Sequence, residues 1–506
     1  MPTQILRSQP GIKRDGTKFE GDFYVDGQWV RFQRGLPRKI GGYRSISKYL
    51  TEISRGFNSF TQQLLQYCHS GGSSTLERFT IDANKNSSII SDRTPSTLVD
   101  SVNNRWMFQS IYESSTTYNA LLAHVAPNGS CLCNDVGGQI FYGNILGTAA
   151  LTEVTLPAGA NATGGIVALH PYLFYYGTAG IIGWSVAGEP TDLTSTGSGI
   201  ARVWGQKIIK GMPLRAGSGS APAGIFWAYD AVIRATFSGG ATVFQFDVIA
   251  TDTSIMSADS VVDYDGVFYW AGVDRFLMFN GVVRDVPNQM NINYFLDGLN
   301  PSQHSKVFAW KVPRFGEIWW AYPRGDATEC THAVIYNVRE NTWYDTALPT
   351  SGRSAGGYNN AFMSPILVDA IPSPSGYRTW VHEQGVDEID GTLAAPIQSF
   401  FETADLSSIA QGQDSYLRIS TIEPDFVQNG PMTVQVTGRA NARAPEVVSS
   451  TFTFPEQADQ PFEQIVMLKE QRRELRVRFE SNALYGDYQM GQIIGHIESG
   501  DRTVLG

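Results

Sequence analysis

A chain of 506 residues in which 42% of side chains are hydrophobic can bury a sizeable core, which excludes disorder as the organising principle. Charged residues make up only 17%, below the usual quarter or so, and the net charge is −10, a balance unsuited to a protein that holds duplex DNA by neutralising phosphates. Four cysteines are too few for a disulfide framework, no apolar run reaches the ~18 residues of a membrane helix, and the opening Met1–Arg7 lacks the core of a signal peptide. The expectation is a cysteine-poor chain made in a reducing cytoplasm.

The N-terminal stretch is a local exception to the acidic balance. Arg31, Arg34, Arg38, Lys39, Arg44 and Lys48 crowd together, interleaved with Trp29, Phe32 and Tyr43. Solvated salt bridges with Asp22 and Asp26, a protein-docking interface, and nucleic-acid contact are all open to such a segment. Trp29, Arg31, Arg34, Arg38, Lys39 and Arg44 are the candidate partner-docking residues. Residues 1–50 then read as a docking segment leading into the first of a series of repeats.

From there aromatic strands beside glycine recur. They appear at Tyr172–Gly177, Gly224–Tyr229, Gly266–Trp270 and Gly316–Tyr322, a spacing suited to propeller blades of four strands each. Inside one unit, Asp265-Gly266 precedes a strand, Ala271–Asp274 turns, and Arg275–Phe279 returns to end at Asn280-Gly281, a hairpin signal because both residues tolerate positive φ. A series of meanders in sandwiches is the competing arrangement. Helical periodicity is best at 292–312, where Pro301 interrupts it. Ile371–Gly376 reads as a loop, and beyond about Ala395 the cadence stops. Alternating strands follow near 416–426, 431–439, 450–454, 462–468, 474–480 and 489–498, the count of a small β-sandwich. The fold class is therefore all-β, with a propeller-like domain over 51–395 followed by a β-sandwich over 396–506.

Chemistry-bearing patterns are few. Gly352-Arg353-Ser354-Ala355-Gly356 matches the nucleophile-elbow pattern, with His382 and His496 downstream, but no helix pattern follows it and no parallel sheet is suggested. Cys131-Leu132-Cys133 and the Cys330/His332 pair lack zinc-site spacing, and Gly217–Ala221 lacks the lysine of a phosphate-binding loop. Asp263, Asp265 and Asp274 could serve as a carboxylate pair for a propeller glycosidase, with Trp270 or Trp320 as sugar platforms. As turn formers they have a simpler role. The reading is a non-enzyme with no cofactor and no metal, against two alternatives: a propeller glycosidase or carbohydrate-binding module of a phage spike or bacterium, and a free binding propeller.

Several segments taken together resemble the tail nozzle, or tail accessory, proteins of short-tailed bacteriophages. These are Gly27–Tyr43, Gly183–Leu193, Asp265–Gly281, Phe315–Pro323 and Tyr336–Trp343. The resemblance implies a virion structural protein in a homo-oligomeric ring, commonly of six copies, beneath the portal and adaptor rings. It further implies tail fibres or spikes docked outside and double-stranded DNA enclosed without base-specific contacts. An acidic chain in such a ring is expected to present a bore of summed negative potential, along which DNA slides with few sticking contacts. The glycine-rich stretch 214–224 is a candidate gate loop.

Overall fold

The computed structural model describes residues 3–18, 21–114, 119–126, 137–214, 221–240, 242–406, 415–441, 443–456 and 465–502. Six consecutive four-stranded antiparallel sheets occupy Phe57–Val312 and on to Ala347, each an inner-to-outer meander. A seventh sheet takes three strands from Ala355–Asn359, Ser364–Val368 and Tyr377–His382 and its fourth from Tyr43–Leu50 near the other end of the chain, and Glu388–Asp390 and Leu393–Ala395 extend it to six. The inner strands of adjacent sheets touch around the ring, the turn Ala258–Ser260 making the contact between the fourth and fifth, and that of the seventh meets that of the first. Six sheets plus this seventh make a closed seven-bladed propeller. The early strand completing the last blade ties the ring shut, so that opening the propeller requires breaking the Tyr43–Leu50 ladder.

The recurring aromatic strands have a common position. Tyr172–Tyr176, Ala223–Ala228, Val267–Ala271 and Glu317–Tyr322 are each the second strand of a blade, counted from the axis. A second strand is covered on both faces by neighbouring blades, which is why it reads as a continuous apolar run rather than an alternating one. Several tryptophans also reach across to the preceding blade: Trp106 Nε1 donates to the Gly72 carbonyl (2.8 Å), Trp320 Nε1 to Ser260 (2.8 Å) and Trp343 Nε1 to Pro287 (2.8 Å). The aromatic cadence is thus an inter-blade seam.

Local turn chemistry agrees with the sequence in the fifth blade. Asp265 and Gly266 both take positive φ, Asp263 Oδ1 accepts the Gly266 amide, and the Asn280-Gly281 turn joins strands paired from Phe279 to Val283. The 292–312 segment is helical only over Ile292–Gly298. Pro301 begins a 3₁₀ turn over Pro301–Lys306, and Phe308–Val312 is already the inner strand of the sixth blade. No helix among the described residues is long and apolar enough to cross a membrane.

The second unit is a β-sandwich of two six-stranded sheets. Its C-terminal strands, Ser415–Asn429, Met432–Arg439, Phe452–Phe454, Val466–Arg472, Glu474–Ser481 and Asp487–Arg502, lie close to the expected ones. Phe401, Phe426, Phe454, Phe479 and Tyr488 pack between the sheets, with Phe401 stacked on Phe479 at 5.3 Å. The N-terminal segment belongs to this sandwich and does not stand apart. Thr3–Leu6 pairs with Asp487–Arg502, Asp26–Gln28 with Ser399–Glu402, and Leu36–Lys39 joins the Val30–Gln33 hairpin to the first sheet. At Trp29, whose φ is +52°, the chain turns from one sheet into the other. The boundary at residue 50 is thereby corrected: the sandwich takes strands from both ends of the chain, because the C-terminal sheets have edges that only the first 40 residues or so complete.

Candidate functional site

The basic and aromatic residues at 29–44 lie at the junction of sandwich and propeller. Trp29 is 3% exposed, Arg31 1% and Lys39 2%, so these three are interior side chains and not a docking surface. Arg38 is half-buried, and only Arg34 and Arg44 are exposed. The partner of this segment is the propeller of its own chain.

Each contact follows from local geometry. Arg34 and Gly35 are the two central residues of a tight hairpin turn, both at positive φ, and their amides donate to the two carboxylate oxygens of Glu340 on the sixth blade (2.5 and 3.0 Å). Trp29 packs edge-on against Trp319 and Tyr43, its amide donating to Thr346 Oγ1 (2.8 Å). Arg14 bridges Asp345 of the sixth blade and Asp26 of the sandwich, and Asp15 accepts the amides of Asn293 and Tyr294 at the start of the short helix. Lys39 Nζ donates to the Gly486 carbonyl (2.6 Å), and burial lowers its pKa.

Arg31 is the centre of the junction. Its guanidinium lies 3.7 Å over the Phe315 ring and pairs with Glu317 (2.9 Å) and Glu383 (2.5 Å). Glu317 is fully buried and also accepts from Trp319 Nε1 (2.9 Å) and Tyr344 Oη (2.7 Å). Burial raises the Glu317 pKa, with Arg31 working against the rise. A forked cation serving two carboxylates on consecutive blades is a task for which arginine's geometry is suited.

The other sequence candidates are structural where the structure describes them. Ser354 is buried and its hydroxyl donates to the Asp369 carbonyl (3.0 Å). Its neighbour Arg353 pairs with Asp369 (2.8 Å) and donates Nε–H to His382 Nε2 (3.1 Å). His382 is therefore engaged with Arg353. Cys330 is buried and its thiol donates to the Lys306 carbonyl, while His332 contacts the Thr331 hydroxyl. Trp270 and Trp320 are 0% and 1% exposed, so neither is a sugar platform. Asp263 and Asp265 shape a turn, and Asp274 is exposed near Arg275. Cys131, Cys133 and Gly217–Ser220 lie outside the described residues. No cluster of three metal-ligating side chains occurs among those described.

The buried His69, His124 and His382 and the half-buried His332 carry a pH dependence. Burial, reinforced by Arg93 at His69, by Lys207 at His124, by Arg324 at His332 and by Arg353 at His382, lowers all four pKa values; His124 and His332 fall to about 4. Each folded-state value is depressed, so the unfolded chain takes up these protons first. Stability contributed by the neutral rings is full above about pH 6.5 and falls as the pH drops toward 4, by up to about 1.4 kcal/mol per pH unit for each ring. Urea unfolding at pH 7.5, 6.5 and 5.5 is expected to show this decline, with a shallower slope in His124→Gln. A flat profile over that range contradicts it.

No family model and no curated protein matches the chain. Among solved structures it is similar to the WD40 β-propeller domain of Doa1, with 12% identity over 67% of this chain and 97% of that one and a TM-score of 0.39. It is similar also to the WD40 repeats of RRP9 (7% identity, 68% and 99% covered, TM-score 0.41) and to U3-55K (7%, 67% and 98%, 0.40). The propeller assignment rests on the strand topology of the chain itself.

Proposed function

We propose that the chain is a structural subunit of a short-tailed phage virion, of the tail-nozzle kind, made in the host cytoplasm. In this reading copies form a ring that extends the DNA ejection channel, retains packaged DNA and docks fibres or spikes, with no catalytic role. The observation that carries it is the lacing of the two units. The first 50 residues run through the sandwich, cross at Gly41-Gly42 and close the last blade, and one apolar core runs from Phe401 and Phe479 to Trp319 and Trp380. Such a body resists relative motion of its parts, as a ring subunit held against packaged DNA must. The segments that resemble nozzle proteins lie in both units: 27–43 is the lacing itself, 183–193 follows from the third strand of the third blade, 265–281 is in the fifth blade, and 315–323 and 336–343 are in the sixth. The sandwich also presents exposed apolar side chains, Val427, Val448, Met467 and Tyr485 among them, suited to contact between copies.

Cryo-electron microscopy of the purified chain and of particles containing it tests the reading. A six-fold ring beneath a larger ring, enclosing a channel wide enough for duplex DNA and lined mainly by Asp and Glu, is the expected result. A chain that stays monomeric in both settings refutes it.

A further inference from the structure

A cavity of about 410 Å³ lies on the propeller axis, within the size range of small-molecule sites. It is walled by the inner strands of six of the seven blades, and three cations converge on it: Arg105 from the second blade, Lys210 from the fourth and Lys311 from the sixth. Asp259 faces two of them, in contact with Arg105 Nη2 and 3.6 Å from Lys210 Nζ. Burial alone would raise the Asp259 pKa, but Arg105 and Lys210 outweigh it and the net shift is downward, so this carboxylate stays charged. Lys311 Nζ donates to the Asp263 backbone carbonyl (2.7 Å), a neutral acceptor, and Asp263 Oδ1 is taken up by the Gly266 amide of its turn. Arg105 Nε is buried and meets no acceptor among the described residues. The amides of Asn58 and Gln109 complete the polar wall.

The three cations face two carboxylates, the ion-paired Asp259 and the turn-forming Asp263, and so leave a net positive charge inside an acidic protein. Low-dielectric walls concentrate that field on the cavity. Closing an inner seam between blades would need only apolar side chains, as the aromatic seams farther out demonstrate. From this we infer that the axial cavity binds a small hydroxylated anion, a carboxylate or phosphate monoester, whose charged group meets Lys311 and Arg105 and whose hydroxyls meet Asn58 and Gln109. The site lies within one subunit, so it stands independently of the assembly reading.

Calorimetric titration of the full chain with inorganic phosphate, glucose 6-phosphate, glucuronate and glucose tests it. At least one anion is expected to bind while glucose does not, and the phosphate and glucuronate arms separate the two anion chemistries. Lys311→Gln, which leaves the Arg105–Asp259–Lys210 cluster intact, is expected to weaken binding about tenfold, the loss of one charge-assisted hydrogen bond. Thermal melts of the unaltered chain with and without the same compounds give a second readout that needs no variant. The inference is overturned if no anion binds or raises the melting temperature at up to about 10 mM, or if a folded Lys311→Gln binds as tightly as the parent.

Discussion

Replacing Arg31 with methionine is expected to destabilise the full chain by about 3–5 kcal/mol, the cost of removing one partner from a buried ion pair. The substitution preserves most of the side chain's volume and its packing over Phe315, so the loss reports charge. Without the guanidinium, Glu317 and Glu383 face each other with Glu317 fully buried. Arg31→Lys is expected to recover only part of the loss, since an ammonium does not fork between two carboxylates. Adding Glu317→Gln to Arg31→Met is expected to be less damaging than the two single losses summed, because the uncompensated buried charge is then gone. Urea unfolding followed by tryptophan fluorescence measures all three. Because the pair joins sandwich strand to blades, the Arg31→Met transition is also expected to broaden or split as the two units uncouple. A single transition shifted by less than about 1 kcal/mol would show that the junction is held by its apolar core alone.

Gly42→Ala is expected to cost about 3 kcal/mol, at the upper end of overpacking effects. An added Cβ would overlap the backbone carbonyl oxygen and nitrogen of Asp387 and lie 2.8 Å from the Val386 carbonyl carbon. These are main-chain atoms with no rotamer to escape into. They are also fixed, since Gly42 donates to Gly385 (2.8 Å) and accepts from Gln384 (2.9 Å), and Tyr43 donates to Asp387 (3.1 Å). Here the chain passes between sandwich and propeller in both directions, and the two crossings touch. Gly205→Ala is the control: nothing lies within 4 Å of its Cβ position, and a change within about 0.5 kcal/mol is expected. Equal melting temperatures for both variants would mean that the crossings are free to part.

The aromatic cadence marked four of the seven blades. Those four second strands carry Tyr, Phe and Trp in clusters, while the equivalents in the first, second and seventh blades, Leu65–Gly71, Asn119–Ala126 and Ser364–Val368, are as buried but have Tyr67 as their one Tyr, Phe or Trp, amid mainly Leu, Ala, Val, Ile, Ser, Cys and His. Burial on both faces demands apolar or small residues, not aromatic ones, so periodicity alone left these blades unmarked. The axial cations had no sequence signal at all: Arg105, Lys210 and Lys311 are far apart in the chain and meet only because each sits on an inner strand, Arg105 at its start and Lys210 and Lys311 within it.

What the sequence determined by itself was local. Alternation placed the C-terminal strands, Asp-Gly and Asn-Gly placed the fifth-blade hairpins, and Pro301 ended the helix, because each depends on backbone preferences within a few residues. What tertiary structure decided was the role of the first 50 residues. The Arg31–Glu383 bond spans 352 positions and the hydrogen bond of Trp29 to Thr346 spans 317. A basic, aromatic segment reads identically whether its carboxylates come from another protein or from its own sixth and seventh blades. Only closure of the propeller brings Glu317, Glu340 and Glu383 to the sandwich, and burial there turns a segment with the composition of a docking surface into the core of the junction.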